Sequence, residues 1–242
     1  MARLIDANYL KDKLGIDIPL IAVYDAPHEA SFDNIIEPIS HKRTCMFAYY
    51  NAWMRGQMLK ITSTNYGCGD CGYWIFGKEL REREDFVNLL YEEEGVKCNR
   101  KVANSWLENK RPYKSKHRCI YVGTYRNSMN EYLKSVTFFV NPDQLSALIV
   151  GANYFNDGSQ PSMVDVPFGS GCMQFLTLVP QGDEPKALIG ATDLTMRKYL
   201  PKNILAFTVN VSMFEKLCSL DEKSFLNKPF LKDLIDFRKS TK

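Results

Sequence analysis

The feature that most constrains this chain is a glycine-rich turn with two cysteines three positions apart, Asn65-Tyr66-Gly67-Cys68-Gly69-Asp70-Cys71-Gly72, running directly into Tyr73-Trp74-Ile75-Phe76-Gly77. A core segment has little use for so many glycines, and a plain loop has little use for two thiols followed by three aromatic rings. Residues 57–63 before it alternate loosely between apolar and polar side chains, as a half-buried strand does. The turn is therefore predicted to deliver Cys68 and Cys71 from a strand to the start of a helix.

Two further cysteines sit in comparable places. Thr44 is placed to cap a helix that opens with Cys45 and runs to Arg55 before Gly56. Gly169-Ser170-Gly171-Cys172 forms a second glycine turn at a helix start. Unpaired amides at such a start stabilise a thiolate, which binds metals and attacks electrophiles. A C-x-x-C step alone supplies half a site, because a tetrahedral zinc or an iron–sulfur cluster takes about four protein ligands. No second C-x-x-C is present, so Cys45, Cys68, Cys71 and Cys172 form the candidate metal set only if the fold gathers them.

The same turns have other readings. Exposed amides at Gly67, Gly69, Gly72 and Gly171, with Arg55 and Arg197 adding charge, are the candidate sites for a small anionic ligand. Cys68 or Cys71 could serve as the nucleophile of a thiol-dependent enzyme, although His28, His41 and His117 all lie elsewhere in the sequence. The plainest reading makes these thiols small side chains that fit where backbone segments approach closely.

Seven cysteines, an odd number, argue against a complete disulfide framework. The first residues interleave charges with apolar side chains, unlike a leader peptide, and no run has the length of a membrane span. The expectation is a cytoplasmic protein with reduced thiols. A net charge of +3, from 31 Lys+Arg and 28 Asp+Glu, carries no specific nucleic-acid signal. One local excess stands out. Residues 97–118 hold eight Lys/Arg against the single Glu108, next to Glu92-Glu93-Glu94. This charged 78–118 region reads as a solvated face turned toward its own acidic neighbour, with a protein-interaction surface as the alternative.

Along the rest of the chain, helices are predicted over 4–14, 78–94, 96–109, 142–154, 212–219 and 229–238, with Asn141-Pro142 opening the fourth. Another short helix is predicted after Thr192 or Asp193. Strands are predicted over 18–24, 119–123, 135–140, 187–190 and 204–209. With no linker or low-complexity tract, residues 1–242 read as a single α+β domain: a mixed sheet with helices packed on it and glycine–cysteine strand-to-helix turns.

The order of these pieces resembles domain-of-unknown-function family 169, a bacterial and archaeal family. The resemblance rests on Ile18-Pro19-Leu20-Ile21-Ala22-Val23, the Cys45 helix ending Ala52-Trp53-Met54-Arg55-Gly56, the Cys68–Gly77 turn, Thr137-Phe138-Phe139-Val140-Asn141-Pro142, Gly171-Cys172 and the stretch 190–201. It implies that Cys45, Cys68 or Cys71, and Cys172 occupy the family's recurring cysteine positions. The doubled Cys68-Gly69-Asp70-Cys71-Gly72 departs from the usual cysteine–glycine turn and leaves open which of the pair corresponds. The resemblance carries no activity. The function expected is binding of a metal, an iron–sulfur cluster or a small anionic ligand at the glycine–cysteine turns.

Overall fold

A computed structural model describes residues 5–39, 44–78, 83–159 and 161–240. The predicted contributions of Leu4, His41 and Leu80 fall outside them. Helix α1 spans Asn8–Leu14 and stops at Gly15, whose φ of 59° is the left-handed C-terminal cap that glycine adopts without penalty. Strand β1 follows at Ile21–Asp25, and β2 is the two-residue Ile35–Ile36. The Cys45 helix begins as a 3-10 turn over Met46–Tyr49 and continues as α2, Tyr50–Met54, with Cys45 rather than Thr44 in the N-cap position. Strand β3 is Met58–Thr62 and leads through the glycine turn into α3, Gly69–Phe76.

Helix α4, Arg83–Asn88, passes into a π-helical turn over Leu89–Glu93, and α5 spans Arg100–Glu108 with the Asn99 side chain capping it. Strands β4, Cys119–Thr124, and β5, Leu133–Val140, flank β1 in the sheet. Helix α6, Pro142–Ala152, opens with a reciprocal capping box between Asn141 and Gln144. Then come β6 (Val164–Asp165), α7 (Gly171–Phe175), β7 (Ala187–Gly190), β8 (Leu205–Asn210), α8 (Val211–Cys218) and α9 (Pro229–Ser240). The helix expected after Thr192 is reduced to a 3-10 turn at Arg197–Tyr199, because the Asp193 carboxylate accepts from Thr195 and Gly171 instead of capping a helix.

The eight strands form one mixed sheet in the order β2-β3-β4-β1-β5-β8-β7-β6. All neighbours are antiparallel except the outer pairs β2/β3 and β6/β7. This order contains one four-strand unit twice. Strands β1 to β4 run outward from the centre as β1-β4-β3-β2, and β5 to β8 run outward the other way as β5-β8-β7-β6, with β1 and β5 paired between them. Cys45 precedes the helix between β2 and β3, and Cys172 lies in the helix between β6 and β7, which are equivalent places in the two units.

Alternation along the strands divides the core between the two faces of the sheet. Ala22, Tyr24, Tyr121, Val136, Phe138 and Phe207 face one layer, where α1, α6, α8 and α9 contribute Leu10, Leu148, Phe214 and Leu231. Ile21, Val23, Ile120, Val122 and Phe139 face the other, with Phe47, Trp53, Cys71, Trp74, Cys172 and Phe175. The cysteine turns thus all lie over one face.

Candidate functional site

Two glycines let the cysteine-bearing segments approach. Gly67 has φ of 76°, and a Cβ there would stand 2.7 Å from the Thr44 carbonyl oxygen, so the Cys68 turn rests directly on the backbone before Cys45. A Cβ on Gly171 would stand 2.5 Å from Phe47 Cε2 and 2.6 Å from Met196 Sδ, so α7 rests on the helix that Cys45 begins. The rings of Phe47 and Phe175 lie 4.9 Å apart between them. Helix α7 is also tied at both ends. Ser135 in β5 donates to the Phe175 carbonyl, and the buried Gln174 donates to the Gly169 carbonyl and Thr192 Oγ1 while accepting from Ala191 N–H at 2.7 Å. That last bond holds Ala191 at φ of 60°, a left-handed conformation unusual for a residue with a side chain.

These contacts place all four cysteines in one core cluster over this face of the sheet. The buried Cys71 and Cys172 thiols act on each other's ionisation, and Ser170 Oγ lies 3.4 Å from Cys172 Sγ. Cys45 and Cys68 are electrostatically coupled to Cys172 and to each other's surroundings, and the Asp70 carboxylate acts on all four thiols. Cys71 and Cys172 are buried, while Cys45 and Cys68 are partly exposed. The other three cysteines lie apart: Cys98 is exposed, and Cys119 and Cys218 belong to the opposite face.

The chemistry of the thiols differs from the helix-start expectation. Burial pushes the Cys45 thiol up to about 12, and it pushes Cys68 up still further. For Cys71 the hydrogen bond from Cys172 works downward, but burial and the neighbouring sulfurs leave the thiol raised. Donation to Cys71 and burial raise Cys172 well above the ordinary range. Burial and mutual proximity outweigh the partial charge of one short helix end, so the cluster is protonated at neutral pH. A depressed-pKa nucleophile at Cys68 or Cys71 has no support in this arrangement. Among the described residues, no three or more His, Cys, Asp or Glu side chains are disposed to hold a metal ion as the thiols now stand.

Beside the turns that carry Cys71 and Cys172 opens a cleft of about 480 Å³ whose lining includes Asp70, Ser170 and Asp193 together with Trp74, Phe86, Trp106 and Phe168. Asp193 accepts from the Gly171 N–H at 3.3 Å and from Thr195 N–H at 2.9 Å, which fixes its carboxylate at the start of α7. The residues expected to hold an anion are placed differently. Arg55 is exposed at the end of α2, away from the lining. Arg197 donates to the carbonyls of Ile204, Pro201 and Lys202, which secures the chain before β8. Gly69 opens α3 with clear space around it, and Gly72 is buried inside that helix.

A family model described as uncharacterised ArCR matches residues 9–219. The chain belongs to domain-of-unknown-function family 169. No curated protein and no solved structure gives a significant match. In this family 169 chain the matched span takes in all four clustered cysteines and the cleft, and it ends before α9.

The sequence pattern passed over Asp70 and Asp193 as site residues and read Trp106 as part of a helical stripe. One signal was available. Cys45-Met46-Phe47 and Cys172-Met173-Gln174-Phe175 repeat a cysteine–methionine step at equivalent places of the two four-strand units. The charged 78–118 region of this family 169 chain is partly self-paired: Arg100 bridges Glu84 and Glu92 and donates to Asn88. Among the described residues no helix is long and apolar enough to cross a membrane.

Proposed function

We propose that this protein binds a thiophilic metal ion, zinc or the iron of an iron–sulfur cluster, through Cys45, Cys68, Cys71 and Cys172. The observation that carries the reading is that four cysteines from three separate connections of the sheet belong to one core cluster over the same face, next to residues that line one cleft. Four cysteines are the donor set of structural zinc and of common iron–sulfur clusters. Buried, mutually raised thiols are costly to ionise alone, and a coordinated cation removes that cost by deprotonating them outright. Binding therefore requires loss of thiol protons and rotation of the side chains toward a common point.

The test is anaerobic purification of the full chain with metal and acid-labile sulfide analysis, followed by cobalt(II) titration of the chelator-treated protein. A sulfur-to-metal charge-transfer band saturating at one ion per chain supports the reading, as does its loss in Cys71→Ser and Cys172→Ser but not in Cys119→Ser. Absence of bound metal and of any such band, in protein whose thiols are shown to be reduced, overturns it.

A further inference from the structure

A second groove runs along one flank of α5, beside the cleft and sharing Trp106 and Phe168 with it. Its volume is about 600 Å³, and its lining combines Lys97, Lys101 and Lys110 with Val102, Trp106 and Phe168. Helix α5 sorts its charges by flank. Arg100 points toward α4, where it bridges Glu84 and then Glu92 in the π-helical turn that follows. Val102 and Trp106 stand one turn apart on the opposite flank, and Lys110 follows just past the end of the helix. No Asp or Glu is among the described residues that line this groove.

The half-buried Lys97 is held against aromatic walls, with its ammonium 3.8 Å from the centroid of Phe168 and 5.1 Å from that of Trp106. Burial lowers its pKa, Cys98 opposes the shift, and Lys110 adds to it. Two lysines are thus close enough to repel each other, and among the described residues neither ammonium has a carboxylate or a hydrogen-bond acceptor. An anion between them relieves that repulsion and gains two charge-assisted contacts. The groove also bounds the occupant. A volume of this size suits one small organic molecule. Val102 and Phe168 are 41% and 43% exposed, which leaves apolar surface for a ring or hydrocarbon body beside the charges. A net charge of only +3 supplies no wider basic surface along which a long polyanion would track.

From this geometry we infer that the groove binds a small organic anion, with its phosphate or carboxylate head between Lys97 and Lys110 and its apolar body against Val102 and Phe168. The site lies away from the glycine turns and shares no residue with the four cysteines, so it stands independently of the metal reading.

Calorimetric titration of the full chain at low ionic strength with 1-naphthyl phosphate, 1-naphthoate, 1-naphthol and inorganic phosphate separates head from body, because the first three share a ring system. At least one of the two aromatic anions is expected to bind about tenfold or more tightly than naphthol and than inorganic phosphate, and the tighter of the two identifies the head group. Lys97→Gln and Lys110→Gln are each expected to weaken that anion about threefold or more, whereas Lys232→Gln, on α9 across the sheet, is expected to leave it unchanged. Naphthol or inorganic phosphate binding as tightly as both aromatic anions overturns the inference, as does no heat from either anion at millimolar concentration or an equal loss in Lys232→Gln. Circular dichroism checks that each variant is folded. Should the half-buried Lys97 prove necessary for folding, Lys110→Gln carries the test, and unchanged affinity in it overturns the inference.

Discussion

The Cys172 and Cys71 thiols, both buried, act on each other's ionisation, which joins a helix of the second four-strand unit to the C-x-x-C turn of the first. The two thiols come together because the two units share one sheet. Their ionisation is correspondingly unfavourable.

The pH dependence of the metal-free protein follows. A thiol whose folded pKa is raised stabilises the fold fully below its unfolded value near 8.5 and loses that contribution as pH rises toward the folded value. For Cys45 the window therefore runs from about 8.5 up to about 12. One such thiol costs about 2 kcal/mol by pH 10. Urea melts of the chelator-treated, reduced protein at pH 7.5 and 10 should show a larger loss for the parent than for Cys45→Ala. An equal loss would remove this account.

Alkylation should follow exposure. At pH 7.5 in the folded, metal-free protein, a limiting amount of iodoacetamide is expected to modify exposed Cys98 well before buried Cys71 and Cys172. Peptide mass mapping reads the order, and early modification of Cys71 would contradict the protonated, closed cluster.

Gly171→Ala tests the close approach of α7 to Phe47. The added methyl would overlap a ring and the Met196 sulfur, an overpacking that costs about 1–3 kcal/mol. Gly67→Ala should cost at least as much, because its obstacle is the Thr44 carbonyl and its φ is positive. Gly69→Ala, with open space, is the control, and denaturant midpoints compare the three.

Asp25 anchors the far end of the same layer. Its buried carboxylate accepts from Tyr113 Oη at 3.1 Å, Ser115 Oγ at 2.8 Å, Lys116 N–H at 2.8 Å and His117 N–H at 3.0 Å. The segment it holds in turn donates to the Trp74 and Ile75 carbonyls at the end of α3. Asp25→Ala leaves four donors without their acceptor and should cost about 3 kcal/mol or more. Hydrogen exchange at Tyr113 and Ser115 amides should rise with it, and unchanged exchange would show that the anchor is elsewhere.

Much of this fold is local in origin. The β-branched and aromatic residues of 135–140, the Asn141-Pro142 cap and the glycine at position 15 each determine an element through backbone and side-chain preferences acting over a few residues. The same holds for the placement of Cys68, Cys71 and Cys172 at helix starts. The two-residue strands β2 and β6 were not legible, since so short a run has no period to read, and the Thr192 helix was misread because Asp193 is drawn to Gly171, a residue distant in sequence.

What the sequence alone determined was the set of four cysteines and the kind of turn that carries each. Whether they meet was decided by tertiary structure. Pairing β1 with β5 sets the two units side by side, and Gly67 and Gly171 then permit backbone contacts that bring the C-x-x-C turn against Cys45 and Cys172. The acidity of the thiols was decided there too. A helix start lowers a thiol's pKa through a local dipole, but burial among other sulfurs and carboxylates acts through every neighbour the fold supplies, and in this protein it is the stronger effect.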